Sequence, residues 1–165
     1  MKTKHVVYMA MMGALYATLS LGIAPLSYGV IQFRISEFLK VFCLFNPLTG
    51  VGIAIGDIIS GSMSPMVSAW ELIFMPITDI IGGFAAYYIY KALKERLPVI
   101  PMLVYALTTA ASVGLMLVAF GVGGFWLMFA SVGVSEVIIL LTAIPIGFRL
   151  KKTLELRQIR VMDFQ

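Results

Sequence analysis

Phe125-Trp-Leu-Met-Phe-Ala-Ser-Val-Gly-Val-Ser-Glu-Val-Ile-Ile-Leu-Leu-Thr-Ala-Ile-Pro-Ile-Gly-Phe148 is apolar along nearly its whole length, and Arg149-Leu-Lys-Lys152 follows it directly. A run of about 18 or more apolar residues is long enough to cross a bilayer as a helix. The rest of the chain repeats the pattern: 61% of the residues are hydrophobic and only 12% are charged. A water-soluble domain carries about 25% charged residues, so the polar surface needed to coat a soluble globule is missing. One span takes roughly 20 residues. The 165 residues therefore hold five or six spans and little else. The expected fold is an all-α integral membrane protein, residues 1–165 forming one transmembrane domain.

Working back from the last run, Gly121-Val-Gly-Gly124 is a tight turn, and a fifth helix is expected from Met102 to Phe120. The most polar connection, Lys94-Glu-Arg-Leu-Pro-Val-Ile-Pro101, separates it from a fourth helix over Ala69–Leu93. Gly61-Ser-Met-Ser-Pro65 is a loop, Leu48–Ser60 a third helix, and Asn46-Pro47 a turn. Ile35–Phe45 is a second helix, approached through Val30-Ile-Gln-Phe-Arg34. These two are short for spans and are expected to be tilted or partly buried in protein. His5–Ile23 is the first helix, ended by the breakers Pro25 and Gly29. A signal peptide is the rival reading of the start, but the apolar stretch Val6–Ala24 exceeds the 7–15 residues of such a core.

Six helices place ten of the twelve basic residues on one side: Lys2, Lys4, Lys91, Lys94, Arg96, Arg149, Lys151, Lys152, Arg157 and Arg160. The positive-inside rule makes that side cytoplasmic, with both termini there, in the cell membrane. Five helices would split the termini and contradict that bias. The formal charge of +4 is thus read as topology, with no call for nucleic acid.

The chemistry is bounded by what is missing. Cys43 and His5 are the sole cysteine and histidine. Neither a thiolate cluster nor a His-based metal or hydrolytic site can be assembled. Cys43 reads as a small buried apolar residue and His5 as interfacial. There is no phosphate-binding Gly-x-x-x-x-Gly-Lys-Ser/Thr loop. No enzyme activity, cofactor or metal is expected. Nor are there two similar halves of the kind self-sufficient carriers often show, which points to a subunit.

The informative residues are the charges inside the spans: Arg34, Glu37, Lys40, Asp57, Glu71, Asp79 and Glu136. Each costs roughly 2.5–3.5 kcal/mol at a helix centre. The six-helix path gathers the acids from the outer surface to the midplane, as suits a pocket opening outward. Pairing of Arg34 or Lys40 with nearby acids is the alternative, but two bases cannot neutralise five carboxylates. The candidate substrate-binding set is Gln32, Arg34, Glu37, Asp57, Trp70, Glu71, Asp79, Trp126 and Glu136. Tyr28, Phe33 and Phe125 fall at the same outer ends. The two tryptophans could equally belong to an interfacial aromatic belt. On the first helix Ala10, Gly13, Ala14 and Ala17 form a small-residue face, which admits either a partner's helix or a neighbour in the same bundle.

Ala24-Pro-Leu-Ser-Tyr-Gly-Val-Ile-Gln-Phe-Arg-Ile-Ser-Glu-Phe-Leu-Lys40 resembles the hallmark stretch of the QueT family, and Gly13-Ala-Leu-Tyr-Ala17 also fits it. The likeness continues more weakly through Gly50 to about Tyr90. It departs from the family pattern at Asp57, where a neutral residue is expected, and at Glu71, where Asp is expected. These proteins are substrate-binding S components of energy-coupling factor (ECF) transporters. The resemblance implies six helices in an S-component-like bundle and an outward-facing pocket. It also implies docking on a transmembrane coupling subunit driven by two ATPases, with Ala10 and Ala14 matching the Ala-x-x-x-Ala docking motif. The implied ligands are 7-deazaguanine precursors of queuosine. An S component for another vitamin or nucleobase-like metabolite, a stand-alone carrier using the acids as a relay, and an assembly subunit without a ligand are the alternatives.

Overall fold

The computed structural model describes residues 3–23, 34–64 and 67–156. Among these residues every regular element is helical: α1 (Thr3–Gly22), α2 (Ile35–Leu44), α3 (Leu48–Gly61), α4 (Trp70–Ala92), α5 (Val99–Ala119) and α6 (Phe125–Leu156). Four of the six, α1, α4, α5 and α6, are long and apolar enough to cross a membrane. The chain is a multi-pass helical membrane protein.

Contacts between helices fix their directions. Tyr8 Oη and Thr49 Oγ1 are 2.7 Å apart, and Gly13 lies against Gly52 and Gly56, so α1 and α3 run parallel. Gly50 meets Gly83 while Gly61 meets Glu71, so α4 returns antiparallel to α3. Thr78 bonds Ser112 and Gly82 packs on Tyr105, which reverses α5; Gly114 against Phe129 and Gly133 against Ala110 reverse α6. α2 ends beside the end of α6, with the rings of Phe45 and Phe148 5.0 Å apart. The helices alternate in direction, and the start of α1 and the end of α6 share one end of the bundle. Lys4, Lys91, Lys94, Arg96, Arg149, Lys151 and Lys152 therefore gather at that end.

The closest approaches use small residues, as packing in lipid demands. A Cβ on Gly56 would stand 2.5 Å from the Gly13 carbonyl oxygen, and one on Gly83 would stand 2.8 Å from Gly50 Cα. One apolar core surrounds α2, with Tyr16, Val41, Leu44, Ile53, Tyr105 and Leu140 among its buried members. A second joins α5 to α6 and the start of α4 through Met75, Val113, Met116, Leu117, Met128 and Val132. The outward faces are apolar too, including Met11, Ile81, Leu107, Leu127 and Ile138, as lipid contact requires.

Four elements differ from expectation. α2 is a 3₁₀ helix throughout its ten residues. At about 2.0 Å per residue it reaches roughly 20 Å, where an α-helix would reach about 15 Å. α4 opens with a π turn over Trp70–Phe74. α6 continues past Phe148 to Leu156, because Arg, Lys, Leu and Glu are strong helix formers and Lys151 pairs with Glu155 one turn on, at 3.7 Å. α5 likewise begins at Val99, since Pro101 falls in its first turn, where no helical N–H is needed.

Candidate substrate-binding site

A 3₁₀ helix has three residues per turn, so side chains at i, i+3 and i+6 lie on one line. Arg34, at the entry to α2, and then Glu37, Lys40 and Cys43 are spaced in this way. The line faces the bundle interior: Arg34, Glu37, Lys40 and Cys43 are all buried.

Two ionic groups form along it. In the first, Arg34 Nη1 donates to Asp57 Oδ1 of α3 at 3.1 Å, and Nη2 donates to Glu71 Oε1 of α4 at 3.4 Å. This group lies toward the end of α3 and the start of α4. In the second, the Lys40 ammonium contacts Glu37 one turn back on α2. It also lies 3.4 Å from Asp79 Oδ1 of α4 and 3.9 Å from Glu136 Oε2 of α6, and donates to Thr109 Oγ1 of α5 at 2.9 Å. The Tyr16 hydroxyl of α1 donates to Glu37 Oε1. The Tyr105 hydroxyl donates to the Asp79 carbonyl at 2.9 Å, and Lys40 Nζ stands 4.7 Å from the Tyr105 ring centre. Glu136 is about 17 Å along α6 from Phe125, close to half the roughly 35 Å that separates Phe125 from Phe148.

The seven charges span four helices, yet they sum to +2 against −5 if all are ionised. Asp57 Oδ2 and Glu71 Oε2 are buried with neither a hydrogen bond nor an ion pair among the described residues, and the indole Nε1 of Trp70 is buried there without a hydrogen-bond partner. Buried polar atoms are normally satisfied, and a bare carboxylate oxygen in an apolar interior is costly. These acceptors are suited to a small molecule with several N–H donors; Trp70, next to Glu71 in sequence, packs on Phe74 and the second core.

Arg34, Glu37, Asp57, Glu71, Asp79 and Glu136 are thus brought together, with Trp70 at the margin. Trp126 is not: it is 77% exposed and packs against Phe125 and Phe129, on the outer face of α6. Gln32, Tyr28 and Phe33 lie outside the described residues. Lys40 is the hub that sequence reasoning left out of the site, together with Tyr16, Tyr105 and Thr109. The signal for Lys40 was its spacing of three residues from Glu37 and six from Arg34, legible only with a period of three. The small-residue face of α1 divides. Gly13 and Ala17 are buried, Gly13 against α3, while Ala10 and Ala14 are exposed on the outer side.

An apolar lipid-facing shell around a buried, acid-rich ionic interior is the build of a membrane transport protein. The chain matches the QueT transporter family over residues 6–152 and belongs to that family. It is 40% identical over 86 residues to "Queuosine precursor transporter QueT" of Lactococcus lactis subsp. cremoris (strain MG1363). That match covers 51% of this chain and 46% of the relative, so it spans about half the relative's length. No solved structure gives a significant match.

Proposed function

We propose that this transporter is the substrate-capturing S component of an ECF-type importer, and that its ligand is a 7-deazaguanine precursor of queuosine. The observation that carries the reading is the surplus of buried carboxylates, two of which, Asp57 and Glu71, keep an oxygen with neither a hydrogen bond nor an ion pair among the described residues. One carboxylate accepts two parallel N–H donors, the pattern on the Watson–Crick edge of a deazaguanine. An aminomethyl substituent would add a cation that a second acid balances. Trp70 offers the ring a stacking face. The relative's name supports the same ligand, as does the run Arg34-Ile-Ser-Glu37.

Docking is assigned to α1. Ala10 and Ala14 lie one turn apart on its exposed side, where a partner's helix can approach closely. The basic end of the bundle is assigned to the cytoplasm, which puts both termini inside the cell and the Arg34–Asp57–Glu71 end outside.

Native mass spectrometry of the purified protein tests the ligand. A co-purifying species with the mass of a 7-deazaguanine is expected. A different tightly held metabolite would keep the S-component reading and replace the ligand. Uptake in cells tests the coupling: it should stop when the ATPases of the importer are deleted. Uptake that persists would make the chain a stand-alone carrier.

A further inference from the structure

Where α4 and α6 finish, the end of the bundle carries an open cleft, remote from the ionic site. Its volume is about 570 Å³, within the roughly 300–1,000 Å³ usual for small-ligand sites. The floor is aromatic: Phe148 stands 5.0 Å from Phe45 and 6.3 Å from Tyr90, both edge-on. The walls carry Arg149, Lys151 and Lys152 together with Glu95 and Glu155.

These charges do not cancel. Lys91 holds Glu95 at 2.5 Å, and Lys151 lies 3.7 Å from Glu155 with its ammonium 4.5 Å from the centre of the Phe45 ring. Both acids are therefore engaged. Arg149 and Lys152 have no carboxylate partner among the described residues. The depth of the cleft is set by α6. Phe125–Phe148 is about 36 Å long, and a hydrocarbon core is about 30 Å thick, so Arg149 begins at the headgroup layer.

We propose that this cleft binds the headgroup of an anionic phospholipid. Arg149 and Lys152 take the phosphate, the guanidinium through paired N–H donors. Phe148, the one of the three rings that is only partly buried, packs against the glycerol and the first methylenes of the chains. A free phosphate would meet the same two cations but leave the aromatic floor unused. An acidic protein segment would need a longer row of unpaired cations than the two found in the cleft among the described residues.

The test uses the full-length protein, folded in detergent and supplied with equal phosphatidylglycerol and phosphatidylcholine. Native mass spectrometry reads which lipid stays bound. One phosphatidylglycerol should be retained in clear preference. A basic residue near an anionic surface contributes about fivefold, so Arg149→Gln with Lys152→Gln should cut the preference about 25-fold. Lys94→Gln with Arg96→Gln, which removes equal charge at the same end but outside the cleft, should keep it within about threefold. Phosphatidylglycerol should also raise the melting temperature of the wild type and not that of the cleft variant. Equal retention of the two lipids would overturn the proposal. So would equal loss in both double variants, which would mean diffuse surface charge. Displacement of the lipid by millimolar glycerol phosphate would identify a free-anion site instead.

Discussion

Replacing Lys40 by Met tests whether the ionic interior is organised around one cation. Lys40 is 1% exposed and reaches three carboxylates from three helices, Glu37 on α2, Asp79 on α4 and Glu136 on α6. Met keeps the length and most of the volume, so little cavity is created. What is lost is the charge and the bond to Thr109 at 2.9 Å. Removing one partner from a buried ionic group costs about 3–5 kcal/mol, because the other partners stay buried without compensation. At about 2–4 °C per kcal/mol for a chain of this size, the lower end corresponds to a fall of about 6–12 °C in melting temperature. Tryptophan fluorescence in mild detergent would follow it. The interaction itself is isolated by a double-mutant cycle with Glu136→Gln, since Glu136 belongs to a helix far from α2 in sequence. The double variant should be more stable than Lys40→Met alone, with a coupling of about 0.5–3 kcal/mol. Melting of Lys40→Met within about 1 °C of wild type, or strict additivity in the cycle, would refute the hub.

Glu37→Gln should weaken ligand binding about 10- to 100-fold, since hydrogen bonds to a charged group contribute roughly 1.5–3 kcal/mol; unchanged affinity by calorimetry would reduce Glu37 to a partner of Tyr16 and Lys40. Ala10→Trp or Ala14→Trp should abolish uptake and leave binding nearly intact, because both residues lie on the exposed side of α1; equal loss of binding and folding would show an internal packing face. Gly56→Leu should destabilise the fold by about 1–3 kcal/mol or more, since even a Cβ meets the Gly13 carbonyl at 2.5 Å; wild-type melting would mean that α1 and α3 separate without cost. Glu95, outside the spans, has its carboxyl held below the ordinary 4.5 by the hydrogen bond from Lys91. A depressed folded-state pKa stabilises above the unfolded value and is lost as pH falls through the folded one. The difference in melting between wild type and Glu95→Gln should therefore be small, under about 1 kcal/mol for an exposed pair, and vanish under acid conditions below that value; a difference that grows on acidification would contradict the pairing.

The positions of the long helices were legible because lipid demands an unbroken apolar run, and the breakers Pro47, Gly121 and Gly124 fall between such runs. The rotation of each helix was less legible. A helix in lipid is apolar on both sides, so hydrophobicity does not say which side turns inward. Polar residues say it instead: Ser135 and Glu136 are buried, and so is Asp79. Trp126 carries no such marker, and its place at the end of a run fits either a pocket or the outer face it occupies. The α1 face misleads for a related reason. Small residues at i, i+3, i+4 and i+7 cover a wide arc, wide enough for Gly13 to meet α3 while Ala10 and Ala14 stay outside. The extension of α6 beyond Phe148 was hidden because a basic run reads as the end of a span, although the same residues sustain a helix in water.

The register of α2 explains why the acid surplus can be held in one place at all. On an α-helix, residues three apart are rotated by 300°, so Arg34 and Lys40 would diverge by about 120° around the axis. One of the two cations would then leave the interior line, and its carboxylates would lose their only nearby base. The 3₁₀ period keeps Arg34, Glu37 and Lys40 in file and spaces them about 6 Å apart along the axis. That spacing lets Arg34 serve Asp57 and Glu71 near one end of α3 while Lys40 serves Asp79 and Glu136 nearer the middle. A 3₁₀ helix is poorer in hydrogen-bond geometry and is uncommon beyond three or four residues, so ten residues of it need support from outside the helix. The ionic contacts to α3, α4 and α6, the Tyr16 hydroxyl and the core around Val41 and Leu44 supply that support. The same contacts leave Asp57 Oδ2 and Glu71 Oε2 without a partner among the described residues, so the arrangement that stabilises α2 also keeps acceptors free for a ligand.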